Sequence, residues 1–556
     1  MFKRLIAFIL LTYMIPASSY SATGFRPGDW VSYSLFRYIN SITTDQHHVY
    51  FATTSGVTRY NLFTNVWATP LTTSNGLVDN RVNVVAVEPV FNELWCATRG
   101  GVSRYNPRTE SWTTYTSSSG MFLDEVHSIG VTADGRLLFE TPEGVAEFDV
   151  DRQFWRTDPS NTISGNSVFT RWHGARRQKT YDYPIFVTDI EYFFDPPDQI
   201  LDRYFRSYRL TGIMEDTFSN VWIGTWGLNV GKASLRSLEL DIQPTGLVTR
   251  NVTAMSFDGD YLWIGGAEDT RSAGRATRFI RGVENYQDRG GITRYNRTTR
   301  EWKHYQPRDT DGLQNGTITA IVVDTATVWF GTDNGVVRHD KKDGIWTTLP
   351  LNHFTSAQVT SMTMDDSLLW VGTVAGVNTI NLRTKKIQPV VQPVLRDRRV
   401  HDMAVDAYHD LWVTTDNGVY RHRPGGTWTK IEDPDSGNLN RAIFTVDIHG
   451  DAIWFGNDTS ILKFTRTNGE WQEWLLPIAV GGAAFRMKIL DRVVWLGTRY
   501  GAAKFDREKE TWRIFTSDDG LLDQTVQAIL PAGDHIWFGT PEGVTRFYWN
   551  DPGRLD

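Results

Sequence analysis

A nine-residue pattern recurs along the whole chain: Val49-Tyr50-Phe51-Ala52-Thr53-Thr54-Ser55-Gly56-Val57, then Leu94-Trp95-Cys96-Ala97-Thr98-Arg99-Gly100-Gly101-Val102. Clear copies start at Val328, Leu369, Leu411 and Ile536, and looser ones at Leu137, Val221, Leu262, Ile453 and Val494. The aromatic or apolar second position falls at 50, 95, 138, 222, 263, 329, 370, 412, 454, 495 and 537, and most steps are 41 to 45 residues. That period is the length of one four-stranded propeller blade.

One copy shows the unit. Ile318–Val323 is an apolar run that predicts a first strand, and Val328-Trp329-Phe330-Gly331-Thr332 a second. Gly335-Val336-Val337-Arg338-His339 predicts the third, and Trp346-Thr347-Thr348-Leu349 the fourth. Asp333-Asn334-Gly335 joins strands two and three with residues that tolerate positive φ, which allows a tight hairpin. The repeated Trp reads as a wedge between blades, and the Gly two residues on lets neighbouring backbone or a large ring approach closely.

The fold expected is all-β, a β-propeller of 11 to 12 four-stranded blades. Two steps deviate. The step from 138 to 222 spans two periods, so a degenerate blade is expected around Trp172 and Phe194, with Ile185-Phe186-Val187 and Ile190-Glu191-Tyr192-Phe193-Phe194 as strands. The step from 263 to 329 is one period plus an insertion at about 267–290. Asp29-Trp30-Val31-Ser32-Tyr33 resembles a fourth strand, and the last unit ends after its third, Gly543-Val544-Thr545-Arg546-Phe547; joining the two closes a ring without exposed edges. Because rings usually hold four to eight blades, two packed propellers are expected, one nested in the other's sequence, with one large ring as the alternative.

Composition agrees with short strands and tight turns: 22 Trp and 47 Gly in 556 residues. Lys3 and Arg4, an apolar run over 5–15 and the small residues Ala17-Ser18-Ser19-Tyr20-Ser21 read as a signal peptide, residues 1–21, cleaved after Ser19 or Ser21. The remainder, 22–556, is then expected outside the cytoplasm, periplasmic or extracellular, with no membrane span. Cys96 is the only cysteine, so no intramolecular disulfide can form. The formal charge of −7, or −9 without Lys3 and Arg4, argues against nucleic acid as a partner.

Trp329-Phe330-Gly331-Thr332 with Gly335-Val336, Trp112-Thr113-Thr114-Tyr115, and Asp519-Gly520-Leu521 before Val526-Gln527-Ala528-Ile529 resemble the two-component regulator propeller repeat. The resemblance covers nearly all of the chain after the signal peptide except 161–207 and 267–290. It implies the extracytoplasmic sensor half of hybrid histidine kinases, commonly paired propellers. No membrane helix, kinase or receiver region follows the repeats here, so only the binding half of that role carries over, with a separate membrane signalling protein as one conceivable partner.

Loops entering first strands and loops joining strands two and three share one face of an up-and-down ring. That face gathers Ser74-Asn75-Gly76-Leu77, Asp311-Gly312-Leu313 and Asp519-Gly520-Leu521 with Thr98-Arg99-Gly100, Asp333-Asn334-Gly335 and Pro541-Glu542-Gly543. Turn formation explains most of these residues. The insertion belongs to this face and carries Arg271, Arg275, Arg278 and Arg281, candidates for an acidic ligand, as are Arg176 and Arg177 in the irregular region. The competing reading for both clusters is a solvated loop.

No nucleophile elbow, paired-cysteine or His-x-x-x-His metal site, or phosphate loop is present, so neither a catalytic residue, a metal nor a cofactor is assigned. The function expected is a binding, sensing or scaffold module for a glycan, peptide or partner protein. Two alternatives remain open. One is a propeller lyase or hydrolase acting on a polysaccharide or small metabolite, and the other an assembly factor of a secretion or cell-surface apparatus.

Overall fold

The computed structural model describes residues 25–551 except 120, 122–123, 134, 151, 159–169, 175–182, 190, 196–197, 268–289, 351–353, 391–392, 433–436 and 483. The segment 1–21, read from sequence as a signal peptide, lies outside them. Among the described residues the chain forms eleven antiparallel sheets, nine of them four-stranded, and its only helical elements are single 3-10 turns. In nine of the eleven sheets the strands follow in chain order; the other two add Trp30–Tyr33 and Arg171–His173 out of order.

Ring membership is legible in which first strands lie side by side. The blades whose first strands are Val252–Asp258, Ile318–Val323, Val359–Asp365, Val400–Val405, Thr445–His449, Arg486–Ile489 and Ala528–Ala532 follow one another, and the last returns to the first. This is a closed seven-bladed ring. Its last blade takes Trp30–Tyr33 as the fourth strand, paired Trp30 to Phe547 and Tyr33 to Val544. The other four sheets, between residues 39 and 243, are inserted between that strand and the rest of its ring. The fourth packs on the first, Ile39–Thr44, which packs on the second, Val82–Glu88, and that on the third, Ser128–Val131. Two nested propeller units are therefore present, not one large ring.

The strand-two glycine explains how adjacent blades fit. A Cβ on Gly331 would sit 2.6 Å from Val359 Cγ1 of the next blade, and one on Gly372 2.6 Å from Val400 Cγ1. The neighbour that needs the space is mainly a β-branched side chain, not the backbone or large ring expected. The same contact from Gly539 to Val252 closes the seven-bladed ring, and from Gly224 to Ile39 joins the fourth inserted blade to the first. Beside the glycine, Trp95, Trp222, Trp263, Trp329, Trp412, Trp454 and Trp495 are fully buried. Each pairs across the hairpin with a cation: Trp95 with Arg104, Trp222 with Lys232, Trp412 with Arg421. Arg104 and Arg421 lie 5.6 and 5.4 Å from the ring centroids, so the charge crosses the apolar ring to reach water.

A threonine ends most second strands and holds the turn. Thr332 Oγ1 donates to the Gly335 carbonyl at 2.9 Å and accepts from the Asn334 N–H at 3.0 Å; Thr98, Thr373, Thr415 and Thr540 repeat the pattern. Where the insertion begins this clamp is missing, because Gly266 occupies the position and pairs with Gly291.

The degenerate blade expected between 161 and 207 does not form a separate sheet among the described residues. Arg171–His173 instead joins the third inserted sheet beside Ser128–Val131 and touches the first strands of the first and second. Tyr192–Asp195 and Gln199–Asp202 form a hairpin on the start of Ser207–Glu215, while the end of that strand belongs to the fourth inserted blade. This nine-residue strand carries both the hairpin and the blade in one six-stranded sheet.

Candidate functional site

A cavity of about 810 Å3 opens where the two units meet. Its size is that of a site for a small organic ligand. One wall is the extra hairpin with Arg203, Tyr204 and Arg206 of its turn, together with the strand-two to strand-three turn Gly227, Leu228, Asn229 of the same blade. The other wall comes from the seven-bladed ring: Lys303, His304, Tyr305, the loop running to Gly312, and Trp346.

Charges on the two walls are paired across the gap. Arg206 holds Asp202 within its own hairpin and reaches Asp309 Oδ1 of the other unit at 3.2 Å. Arg308 Nε holds the same carboxylate at 2.9 Å. Tyr204 donates its hydroxyl to the Arg308 carbonyl at 3.2 Å, and the guanidinium groups of Arg203 and Arg206 lie 4.9 and 5.0 Å from its ring centroid. Phe205 has φ +60, an uncommon conformation for a bulky side chain, and is 76 % exposed. Its ring is parallel to that of Phe193, with centroids 6.2 Å apart.

The titratable groups follow this packing. Burial pushes the Tyr192 hydroxyl up to about 12, helped by the carboxylates of Glu191, Asp309, Asp189 and Asp202. Burial pushes His304 down to about 4, although its Nε2–H donates to the Gly246 carbonyl at 2.8 Å. His304 is thus neutral near pH 7. The arrangement suits binding: paired charges, aromatic faces and fixed hydrogen-bonding groups.

Across the first strands of the seven-bladed ring, Asp402 accepts from Ser361 Oγ at 3.1 Å and Thr445 Oγ1 at 3.0 Å, spanning three blades. Asp447 accepts from Lys488 Nζ at 2.9 Å. Burial opposes the charge on Lys488, but Asp447 and Asp402 outweigh it and raise its pKa, so the amine is no base at neutral pH.

Arg271, Arg275, Arg278, Arg281, Arg176 and Arg177 all lie outside the described residues. The insertion's ends are placed: Gly266 and Gly291 pair at the end of their hairpin, on the face expected for strand-two to strand-three loops. Asp311 and Gly312, read from sequence as a turn, line the cleft, as does the described part of the irregular region. The sequence reading missed Arg206 and Asp309, which are 103 residues apart and join only through tertiary packing. It also passed over Asp365, Asp366 and His409, whose ligand atoms lie within 4.8 Å of one another. There His409 Nδ1 is 2.6 Å from Asp365 Oδ1, the geometry of a hydrogen-bonded pair bridging two blades.

No family model matches the sequence, and no curated protein matches it. Among solved structures, PorZ, an essential bacterial surface component of the type-IX secretion system of Porphyromonas gingivalis, superposes with a TM-score of 0.58. The alignment covers 94 % of this chain and 87 % of PorZ at 12 % identity. The chain shares the fold of PorZ. The extracellular domain of a putative hybrid two-component system from B. thetaiotaomicron aligns over 93 % of this chain and 82 % of its own at 16 % identity, with a TM-score of 0.37. Virginiamycin B lyase from Staphylococcus aureus covers 53 % of this chain and 94 % of its own at 16 % identity, with a TM-score of 0.41. No helix among the described residues is long and apolar enough to cross a membrane.

Proposed function

We propose that the protein is an extracytoplasmic, non-catalytic binding module of the two-component regulator propeller type, and that the cleft between its two units is the ligand site. The observation that carries this reading is the paired wall: Arg206 and Asp309 meet across a cavity large enough for a ligand, lined by Tyr204, whose chain neighbour Phe205 is exposed and strained. Strain of this kind is retained where function requires it. Glycans, peptides and partner proteins all suit a cleft with aromatic faces and planar charged groups. Binding to arrays of each, compared between the wild type and Arg206→Ala with Asp309→Ala, tests it. Signal lost in the double variant, with the fold unchanged, supports the cleft; signal retained moves the site elsewhere.

A second reading is that the protein is an assembly factor of a secretion or cell-surface apparatus. It is favoured by the fold shared with PorZ over most of both chains. Capture of a defined set of envelope proteins by a tagged copy, independent of any small ligand, would select this reading. Turnover of a panel of polysaccharides and esters, abolished by single acidic or His substitutions, would select the lyase or hydrolase instead.

A further inference from the structure

Periodicity singles out one residue of the cleft. After its clamping threonine, most blades place glycine at the start of strand three with strongly positive φ: +125 at Gly101, +102 at Gly335, +142 at Gly543. A side chain is excluded there in most blades, because a Cβ on Gly101 would lie 2.5 Å from the Tyr115 carbonyl oxygen, and one on Gly56 2.6 Å from that of Leu71. In the fourth inserted blade the turn is one residue longer, Trp226-Gly227-Leu228, and the equivalent position is Asn229. The equivalence is set by hydrogen bonding: Thr225 Oγ1 donates to the Asn229 carbonyl at 2.7 Å, as Thr332 Oγ1 does to Gly335.

Asn229 keeps the glycine conformation, φ +121, at a conformational cost that glycine would not incur. It is 8 % exposed and lines the cleft. Its backbone is fully engaged by Thr225, whose Oγ1 also accepts the Asn229 N–H at 3.1 Å. Its side-chain Oδ1, in contrast, is buried and meets no donor among the described residues. A buried acceptor left unpaired costs about 1–3 kcal/mol. A strained residue with an orphaned acceptor, at a position that most blades fill with glycine, is where a local rule yields to a site.

We propose that Asn229 is the ligand-anchoring residue of the cleft, and that its Oδ1 accepts a hydrogen bond from an uncharged hydroxyl or amide group of the ligand. This rests on the reading of the cleft as the binding site. A carboxylate or phosphate oxygen brings lone pairs against a lone pair and is disfavoured. Asp202 and Asp309 are already engaged by Arg206 and Arg308, which leaves the wall beside Asn229 without strong demand for a cation.

The experiment compares the full chain with Asn229→Gly and Asn229→Ala, using four probes that share one ring and differ in charge. Methyl glucoside and N-acetylglucosamine are neutral, glucuronate is anionic and glucosamine cationic. Binding is followed by isotope-edited NMR of cleft resonances, and stability by thermal unfolding. Both neutral probes should bind the wild type more tightly than either charged one and lose at least tenfold in both variants. Asn229→Gly should meanwhile unfold at the same or a higher temperature, because it relieves the positive φ; a residue with a merely structural role would lower it. If the neutral probes bind all three proteins equally, or a charged probe binds best, the assignment of Asn229 is wrong while the cleft remains a site. If no probe perturbs the cleft in any protein, the cleft reading itself falls and the assignment with it.

Discussion

The indole of Trp30 stacks on the ring of Phe547 with centroids 3.9 Å apart and planes 9° from parallel. In other blades a strand-three ring meets the strand-four tryptophan in the same way, as Tyr295 meets Trp302 at 4.1 Å. Trp30 therefore fills the strand-four tryptophan place of a blade whose other strands lie some 500 residues later in the chain. It is 2 % exposed and also packs near Phe515 and Phe538.

Trp30→Ala should cost about 3–5 kcal/mol, the usual penalty for truncating a buried tryptophan, because the last blade loses its covering ring and the closure is weakened. Chemical denaturation should show a lower midpoint and early exposure of the edge formed by Gly543–Tyr548. An unchanged midpoint would mean that the Val252 and Gly539 contact closes the ring alone.

Gly331→Val should destabilise by roughly 1–3 kcal/mol, since its Cβ would overlap Val359 of the next blade. Val359→Ala in the same molecule should recover much of the loss. A double-mutant cycle reads the coupling, and additive effects would show that the two residues do not share that space.

His304 makes stability fall in acid. Its folded pKa of about 4 lies below the unfolded value of about 6.5, so the unfolded chain takes up the proton first as pH drops. Its contribution is complete above pH 6.5 and is lost between there and pH 4, a change on the order of 3 kcal/mol. His304→Gln, whose amide can still donate to the Gly246 carbonyl, should flatten the wild-type decline in thermal midpoint over this range. Equal slopes in both proteins would overturn the assignment.

His409 should behave in the opposite sense. Its hydrogen bond to Asp365 and the charges of Asp365 and Asp366 raise its pKa, so the bridge between blades is complete below pH 6.5 and weakens as pH rises through the folded value. An NMR titration of its ring should give a midpoint above 6.5 that drops in Asp365→Asn; a midpoint insensitive to that change would refute the pairing.

The Arg206 to Asp309 bridge is partly exposed, so its coupling energy should be about 1 kcal/mol or less and should shrink with salt. A double-mutant cycle in thermal unfolding at low and high salt measures it. A coupling unchanged by salt would argue that the bridge is shielded from solvent.

Local chemistry determined what each blade is. Strand order, the turn at Asp333-Asn334-Gly335, the tryptophan wedge and Trp30–Tyr33 as a closing strand all follow from side-chain alternation, positive-φ residues and a fixed period, which act within some 45 residues. Those signals repeat, so they were legible. The glycine's role was legible as close approach, but its partner, the β-branched residue of the next blade, appeared only once blades were set side by side. Ring size was decided by tertiary structure alone, because every blade carries the same interface and nothing local states which two blades meet at the seam. The same holds for 161–207, whose described hairpin joins the fourth inserted blade through one long strand, and for the cleft. Arg206 and Asp309 belong to different units and Asn229 to a lengthened turn, so no fixed spacing announces them; packing of one unit against the other brings them to a common cavity.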